Sequence, residues 1–166
     1  MAQKDIAEKL LEEFNDVFAD ILYTLFFQKN LVQPDELEDA PTEFHYWVND
    51  KKGCRELRRD VAKVYKKNGI PSAIFCLENQ TAIDETMPFR VQEYDGATYL
   101  MQLKNGQKKP VPVITIVLYF GKQKWTKPLS TKEILLKEYP DAAELAPFIK
   151  DYEMNLLQIS YLPEDI

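Results

Sequence analysis

The sequence contains few of the residues on which several common kinds of site depend. Its five glycines in 166 residues form no phosphate-cradling loop, so we expect no nucleotide cofactor. The only histidine, His45, lacks a second histidine for a zinc site, and we expect it to have a structural role. Two cysteines, Cys54 and Cys76, are too few for a disulfide framework. We therefore expect reduced thiols, with Cys76 packed in the core.

The chain also lacks a long hydrophobic run and an export signal. Its longest apolar stretch, residues 113–120, is far shorter than the roughly 20 residues needed to cross a bilayer. The first residues do not have the charged-then-apolar layout of a secretory signal. We therefore expect a cytoplasmic protein with no membrane partner. A chain of this length that is 45% hydrophobic suits one folded domain, which we expect over residues 1–166.

Basic residues are outnumbered by acidic ones, 21 to 27, which gives the chain a net charge of −6. Most of the basic residues lie in the middle of the chain. Residues 1–50 contain 3 basic and 12 acidic residues (net −9), residues 51–130 contain 15 and 7 (net +8), and residues 131–166 contain 3 and 8 (net −5). A basic segment between acidic flanks is compatible with a nucleic-acid partner and equally with a solvated lysine-rich surface.

Hydrophobic periodicity predicts an α/β fold in the order α-α-β-β-β-α-β-α-β. A first helix is predicted over residues 3–14, and Asn15 is the predicted N-cap of a second helix that ends near residue 27. The apolar face of the first helix would be Ile6, Ala7, Leu10, Leu11 and Phe14. Residues 35–39 are interpreted as an acidic connection. The remaining elements are strands over 44–48, 55–65 and 72–80, a helix over 88–103, a strand over 111–120, a helix over 129–139 and a strand over 156–161.

An acidic residue interrupts the most apolar of these strands. The alternation of a strand places Cys76, Glu78 and Gln80 on one face. A carboxylate in a buried strand is costly unless it is paired, hydrogen-bonded or bound to a metal. Asp60 lies on the preceding predicted strand, so the two carboxylates could together hold Mg²⁺, which binds one or two carboxylates and keeps several waters. A purely structural hydrogen-bonding role for both acids remains an alternative.

The connection between the two strands decides whether these acids can meet. Lys66-Lys67-Asn68-Gly69 is a strong hairpin signal. A simple two-residue turn at Asn68-Gly69 would set Asp60 opposite Leu77, on the face away from Glu78. A three-residue loop or a bulge would shift the register by one and bring Asp60 to the face of Glu78. The metal hypothesis therefore predicts one of these two features between residues 60 and 78.

Several runs, taken in order, resemble the recombination-promoting nuclease/putative transposase family, which belongs to the PD-(D/E)XK nuclease superfamily. The resemblance covers roughly residues 4–160 and begins near Val17-Phe18-Ala19-Asp20. It continues through Arg59-Asp60-Val61, Leu77-Glu78-Asn79-Gln80-Thr81, Met87-Pro88-Phe89-Arg90-Val91-Gln92-Glu93-Tyr94-Asp95 and the strand from Val111 to Gly121 with Trp125. It implies a restriction-endonuclease-like mixed sheet flanked by helices. It also implies DNA as partner and a length short of a C-terminal helical region that family members often carry.

The resemblance assigns chemistry to particular residues. Asp60 and Glu78 would be catalytic metal ligands for Mg²⁺, for which Mn²⁺ can substitute. Gln80 stands where the superfamily usually has lysine; its amide can orient water but cannot supply a positive charge. Asp20 matches a helix acid of the family and would complete the site, with a solvated acid on an amphipathic helix as the alternative.

Other candidates lie beyond the strand pair. Arg90 and Tyr94 are four residues apart on a predicted helix and resemble an element that some related nucleases place beside the metal. Arg90 would bind a phosphate; alternatively it pairs with Asp95, Glu93 or a buried acid while Tyr94 packs in the core. The lysines that could contact a DNA backbone, or merely keep loops soluble, are Lys104, Lys108, Lys109, Lys122, Lys124 and Lys127.

These observations predict a metal-dependent DNA endonuclease associated with recombination or transposition. The alternative is a catalytically weak or inactive nuclease-fold module that binds DNA or a longer copy of itself. Association into a homo-oligomer is compatible with both.

Overall fold

A computed structural model describes residues 10–47 and 54–163, with the backbone alone at 44–47 and 54–57. The strands in these ranges are β1 (Leu37–Asp39), β2 (Glu43–Trp47), β3 (Cys54–Arg58), β4 (Val61–Lys67), β5 (Ile70–Gln80), β6 (Val113–Tyr119) and β7 (Asn155–Gln158). The helices are α1 (Asn15–Asp20), a π-helix (Ile21–Phe27), α2 (Met87–Lys104), α3 (Thr131–Glu138) and the 3₁₀ segments Pro34–Glu36, Pro140–Leu145 and Ile159–Tyr161.

The strands form a five-stranded mixed sheet and a separate two-stranded ribbon. The order in the large sheet is β1-β4-β5-β6-β7, and the ribbon pairs β2 with β3. β4 is antiparallel to β1 and β5, whereas β6 is parallel to both β5 and β7. The predicted α/β class, with a mixed sheet flanked by helices, is confirmed. None of the helices in the described ranges combines the length and apolar character needed to cross a membrane.

Helices cover both faces of the sheet. On one face Phe18 and Leu22, from α1 and the π-helix, pack with β5 and β6 residues such as Leu77. On the other face Met87 and Val91 of α2 pack against the opposite side of β6. Because β5 and β6 are buried on both sides, they read as nearly continuous apolar runs. The predictions for α2, β6, α3 and β7 agree with the structure to within a few residues at their ends.

The prediction for the first helix is wrong about its buried face. Residues 10–12 are helical, and residues 1–9, including Ile6 and Ala7, lie outside the described part of the chain. Leu10, Leu11 and Phe14 are exposed, while Glu12 is only 4% exposed. The helical segment of residues 10–12 ends at residue 12, and α1 begins at residue 15. The two segments therefore do not form one helix with a continuous apolar face.

Asn15 does not cap the second helix as predicted. Phe14 occupies the N-cap position and provides no side-chain cap. Asn15 is the first helical residue, and its Nδ2 donates to the Leu37 carbonyl at 2.8 Å, which ties α1 to β1. The chain remains helical to Phe27 as predicted, although from Ile21 it is wound as a π-helix.

Two further predictions fail in the region between residues 35 and 65. Part of the predicted acidic connection forms β1, because Leu37 is buried while Glu38 pairs with Lys66 at 2.5 Å. The single strand predicted over residues 55–65 is divided into β3 and β4, which belong to different sheets. The break falls at Arg59, whose side chain turns into the interior and is 1% exposed.

Gly121, just beyond the end of β6, lies too close to the Tyr119 side chain to accept a larger residue without rearrangement. A Cβ atom at this position would lie 2.1 Å from the Tyr119 hydroxyl oxygen, in a buried aromatic pair with Trp125. We expect Gly121→Ala to destabilise the protein by about 1–3 kcal/mol, because the Tyr119 ring has to move. Gly96→Ala is the control: its Cβ meets no atom within 4 Å at this exposed position of α2, and it should stabilise the helix by about 1 kcal/mol. Urea unfolding of the two variants should therefore give opposite signs.

Candidate functional site

The hairpin between β4 and β5 contains the bulge that the metal hypothesis requires. Its turn residues, Asn68 and Gly69, have φ angles of 54° and 78°, as a tight two-residue turn demands. The paired positions are Lys67–Ile70 and Lys66–Pro71, followed by Tyr65–Ala73 and onward to Val61–Leu77. Ser72 is thus an extra residue on β5, and the register beyond it is shifted by one.

The shifted register brings the two predicted acids to the same end of the strand pair. Val61 pairs with Leu77, and Asp60 lies in the bend just before β4. The same register carried one step further would set Asp60 opposite Glu78. The Asn79 backbone N–H donates to Asp60 Oδ2 at 2.8 Å, which bridges the start of β4 to the end of β5. Glu78 is 3% exposed. Its strand, β5, lies in the middle of the sheet between β4 and β6.

Gln80 lies at the carboxyl end of β5, on the strand face of Glu78. It is half-buried, and its carbonyl accepts a hydrogen bond from the Phe120 backbone N–H at 2.8 Å. Among the described residues, its side-chain amide makes no hydrogen bond. This amide can therefore bind a water or a substrate oxygen without breaking an existing contact.

A residue that sequence reasoning missed, Glu12, contacts the same strand from the other face. Its Oε2 accepts from Asn79 Nδ2 at 2.9 Å. Asn79 therefore joins two acids, Asp60 through its backbone and Glu12 through its side chain. Nothing in the sequence indicated that Glu12 is buried, because the spacing of apolar residues predicted that Leu10, Leu11 and Phe14 would form the buried face. Those three residues are exposed instead.

The family of this chain follows from a match to a family model. The model described as "Putative transposase, YhgA-like" matches residues 51–166, which include Asp60, Glu78 and Gln80. The chain belongs to this family. Searches of curated proteins and of solved structures returned no match. Family membership indicates a function related to transposition or recombination and implies interaction with DNA.

Asp20, a candidate for the predicted metal site, lies outside the residues that the family model matches. It is exposed and accepts a hydrogen bond from Thr24 Oγ1 at 3.1 Å. Within the described ranges no hydrogen bond connects Asp20 to Asp60, Glu78 or Gln80. Its part in a metal site stays a prediction. The contacts of Glu12 make it the N-terminal acid that approaches the strand pair.

A buried ionic network lies beneath this family's Arg-Asp-Val run. Arg59 donates from Nη2 to Asp95 Oδ1 at 2.7 Å and from Nη1 to Thr115 Oγ1 at 2.7 Å. Asp95 is 2% exposed and also accepts from Thr115 at 2.5 Å and from the Tyr152 hydroxyl. Burial and then Asp95 raise the pKa of Tyr152, which keeps this hydroxyl a donor.

The charge of Arg59 also acts on the strand face of Glu78. Burial alone would lower the pKa of Arg59, but the nearby Cys76, Asp95 and Glu78 side chains outweigh burial and raise it above its usual value. The guanidinium therefore stays protonated. Burial raises the pKa of the Cys76 thiol to about 12, which suits a packing residue rather than a nucleophile. The side chains of Cys54 and His45 lie outside the described part.

Arg90 and Tyr94 share a face of α2, as predicted, and Arg90 Nη2 lies 3.4 Å from the Tyr94 hydroxyl. Arg90 also pairs with Asp84 at 3.0 Å in the loop that follows β5. Burial raises the pKa of Asp84, but hydrogen bonds from Thr86 and Arg90 outweigh it and lower the value. Tyr94 is 7% exposed and packs between the Arg59 and Arg90 guanidinium groups. The acid that pairs with Arg90 is thus Asp84 and not Asp95 or Glu93, and the pair leaves the Arg90 side chain 39% exposed. Phosphate binding by Arg90 stays a prediction.

The donors at the strand pair suit a hard cation with few protein ligands. In the ranges 10–47 and 54–163, no group of three or more His, Cys, Asp or Glu residues is arranged to hold a metal. Asp60, just before β4, and Glu78, near the end of β5, would supply two carboxylates. Mg²⁺ is commonly bound by one or two carboxylates with waters in its remaining positions. The residues therefore fit Mg²⁺ or Mn²⁺ better than zinc, which favours nitrogen and sulfur ligands.

Proposed function

We propose that this chain is a metal-dependent DNA nuclease with Asp60 and Glu78 as metal ligands. The observation that carries the proposal is the bulge at Ser72, because it gives β4 and β5 the register that would set Asp60 opposite Glu78. The buried carboxylate of Glu78 in β5 supports the proposal as well. Membership of a family described as transposases supports DNA as the substrate.

The metal would be Mg²⁺, with Mn²⁺ as a substitute. When bound, such an ion lowers the pKa of a water and stabilises negative charge on a phosphate. The protein's part is to hold the carboxylates in position. The Asn79 N–H orients Asp60 through its bond to Oδ2, and Glu12 holds the Asn79 side chain from the opposite face.

Gln80 would orient the attacking water. Its amide oxygen can accept a hydrogen bond from that water, and its amide nitrogen can donate to a phosphate oxygen. The usual lysine would add a positive charge that the neutral amide lacks. Arg59, buried behind Glu78, places a fixed positive charge on the same face but has both terminal nitrogens engaged.

Nicking of supercoiled plasmid in Mg²⁺ or Mn²⁺ tests the proposal. The wild-type protein should convert supercoiled plasmid to open circles, and Asp60→Ala should lower the rate by at least about a hundredfold, because metal ligands act in the transition state. Glu144→Ala is the matched control, since Glu144 is an exposed acid on the 3₁₀ segment Pro140–Leu145. It should nick at the wild-type rate.

Two results would reject the proposal, the first by removing the site and the second by removing the activity. One is nicking by Asp60→Ala and Glu78→Ala at the rate of the control. The other is a wild-type protein that leaves plasmid intact in both metals although it binds the ion through Glu78.

The neutral amide of Gln80 favours a second candidate function. Without the lysine charge, the fold could bind DNA and not cleave it, as a nuclease-fold module that acts beside another catalyst. Such a module should bind a DNA duplex and leave plasmid supercoiled in either metal. Metal binding at Glu78 distinguishes the two functions, because a non-cleaving module has no need to retain it.

A further inference from the structure

Five of the fifteen basic residues of the middle segment lie in two loops at opposite ends of β6. The amino-edge loop (residues 105–112) joins α2 to the start of β6 and carries Lys108 and Lys109. The carboxyl-edge loop (residues 120–130) leaves the end of β6 and carries Lys122 and Lys124. β5 and β6 are parallel, with Gln80 paired to Tyr119, so the second loop shares its edge with the proposed site. The length of β6 separates the two loops by about 20 Å.

The backbone of the carboxyl-edge loop is held in place at several points. The hydrogen bonds are Tyr119 hydroxyl to Gln123 carbonyl (2.7 Å), Tyr161 hydroxyl to Lys122 carbonyl (2.7 Å) and Trp125 N–H to Gln158 Oε1 (2.7 Å). Trp125 is 5% exposed and packs on Tyr119. A loop anchored in this way presents its exposed side chains from a fixed backbone, so little backbone entropy is lost when they bind.

The two acidic side chains of the segment after β5 are both paired with basic residues. Asp84 pairs with Arg90, and Glu85 pairs with Lys127 at 2.7 Å, which lowers the pKa of Glu85. Lys122 and Lys124 are exposed and make no ion pair with any described residue. The two ammonium groups are therefore available to an anionic partner at the edge where Gln80 ends β5.

We propose that Lys122 and Lys124 bind the phosphate backbone of duplex DNA beside the active site, while the lysines of the amino-edge loop do not. The inference rests on the proposed function in taking the end of β5 as the place where DNA is cleaved. Phosphate contacts fix the position of a duplex without reading its sequence. The distance of about 20 Å to the other loop exceeds the screening length of roughly 8–10 Å at physiological salt.

The test is duplex binding by fluorescence anisotropy, in EDTA so that no cleavage occurs. Lys122→Ala/Lys124→Ala should raise the Kd of a short labelled duplex on the order of tenfold at low salt. It should also reduce the slope of log Kd against log salt by about 1.8, since each lost phosphate contact removes about 0.9. The loss should be equal on duplexes of unrelated sequence. Lys122→Arg/Lys124→Arg should retain the wild-type slope.

Lys108→Ala/Lys109→Ala is the matched control. It removes the same charge from two exposed lysines that likewise make no ion pair with a described residue, and it should leave the slope nearly unchanged. Equal losses in both double variants, an unchanged slope in the first, or no duplex binding by the wild type would overturn the inference. Failure of the proposed function looks different: plasmid stays intact, or is cut without Asp60, while duplex binding still depends on Lys122 and Lys124.

Discussion

Asp95→Ala is expected to destabilise the protein by about 3–5 kcal/mol, because it removes the carboxylate that is hydrogen-bonded to the buried Arg59 guanidinium. Arg59 is 1% exposed, so no rearrangement at the surface can solvate it cheaply. The same substitution also removes the acceptor for Thr115 and Tyr152. Urea unfolding at neutral pH measures the loss as a fall in the free energy of unfolding.

The control for this prediction lies on the same helix. Gln92→Ala alters an exposed position of α2 and should change stability by less than about 0.5 kcal/mol. The double variant Arg59→Met/Asp95→Leu removes both charges and should recover much of the loss, since an apolar pair of similar volume is often neutral. If Asp95→Ala lowers the free energy of unfolding by less than about 1 kcal/mol, the Arg59–Asp95 pair stabilises the protein no more than a solvent-exposed ion pair does.

Glu78→Gln is expected to abolish Mn²⁺ binding while the protein stays folded. The substitution keeps the shape of the buried side chain and removes the negative charge that a divalent ion requires. Calorimetric titration with Mn²⁺ should give a binding isotherm for the wild type and no heat beyond dilution for the variant. Circular dichroism and the urea midpoint show whether the fold is retained.

Glu153→Gln provides the comparison, because Glu153 lies in the bridge with Ser130 outside the proposed site. It should bind Mn²⁺ as the wild type does. Wild-type protein that takes up no Mn²⁺, or a Glu78→Gln variant that binds it with unchanged affinity, would contradict the assignment of Glu78. The first of these results, together with duplex binding, would favour the non-cleaving module.

Much of the fold was readable from local signals. Asn68-Gly69 predicted the hairpin because both residues accept positive φ. Pro88 predicted the start of α2, which indeed has proline in its first turn. The apolar run of β6 predicted a strand covered on both faces. Each of these signals depends on residues close together in sequence.

The failures occurred where a distant partner decides the conformation. Arg59 sits inside a strand-like pattern, but its partners Asp95 and Thr115 are 36 and 56 residues away, and they draw it out of the strand. Glu12 is likewise positioned by Asn79, 67 residues away. No window of the sequence contains such pairs, so periodicity could not reveal them.

The candidate site was predictable only in part for the same reason. Glu78 was apparent because an acid interrupts an apolar strand. The face of Asp60 could be stated only as a condition on the hairpin, and the bulge at Ser72 meets that condition. The roles of Asp60, Glu78 and Gln80 as ligands and water-orienting group remain predictions for the experiments above.

The adjacency of Arg59 and Asp60 has a consequence for genetic screens. One side chain anchors the interior and the next faces the proposed site, so loss-of-function alleles at the two codons would be indistinguishable by phenotype. They should separate by protein abundance: Arg59 and Asp95 alleles would give little protein and regain activity at low growth temperature or high expression. Asp60 and Glu78 alleles would accumulate to normal levels and remain inactive under every condition.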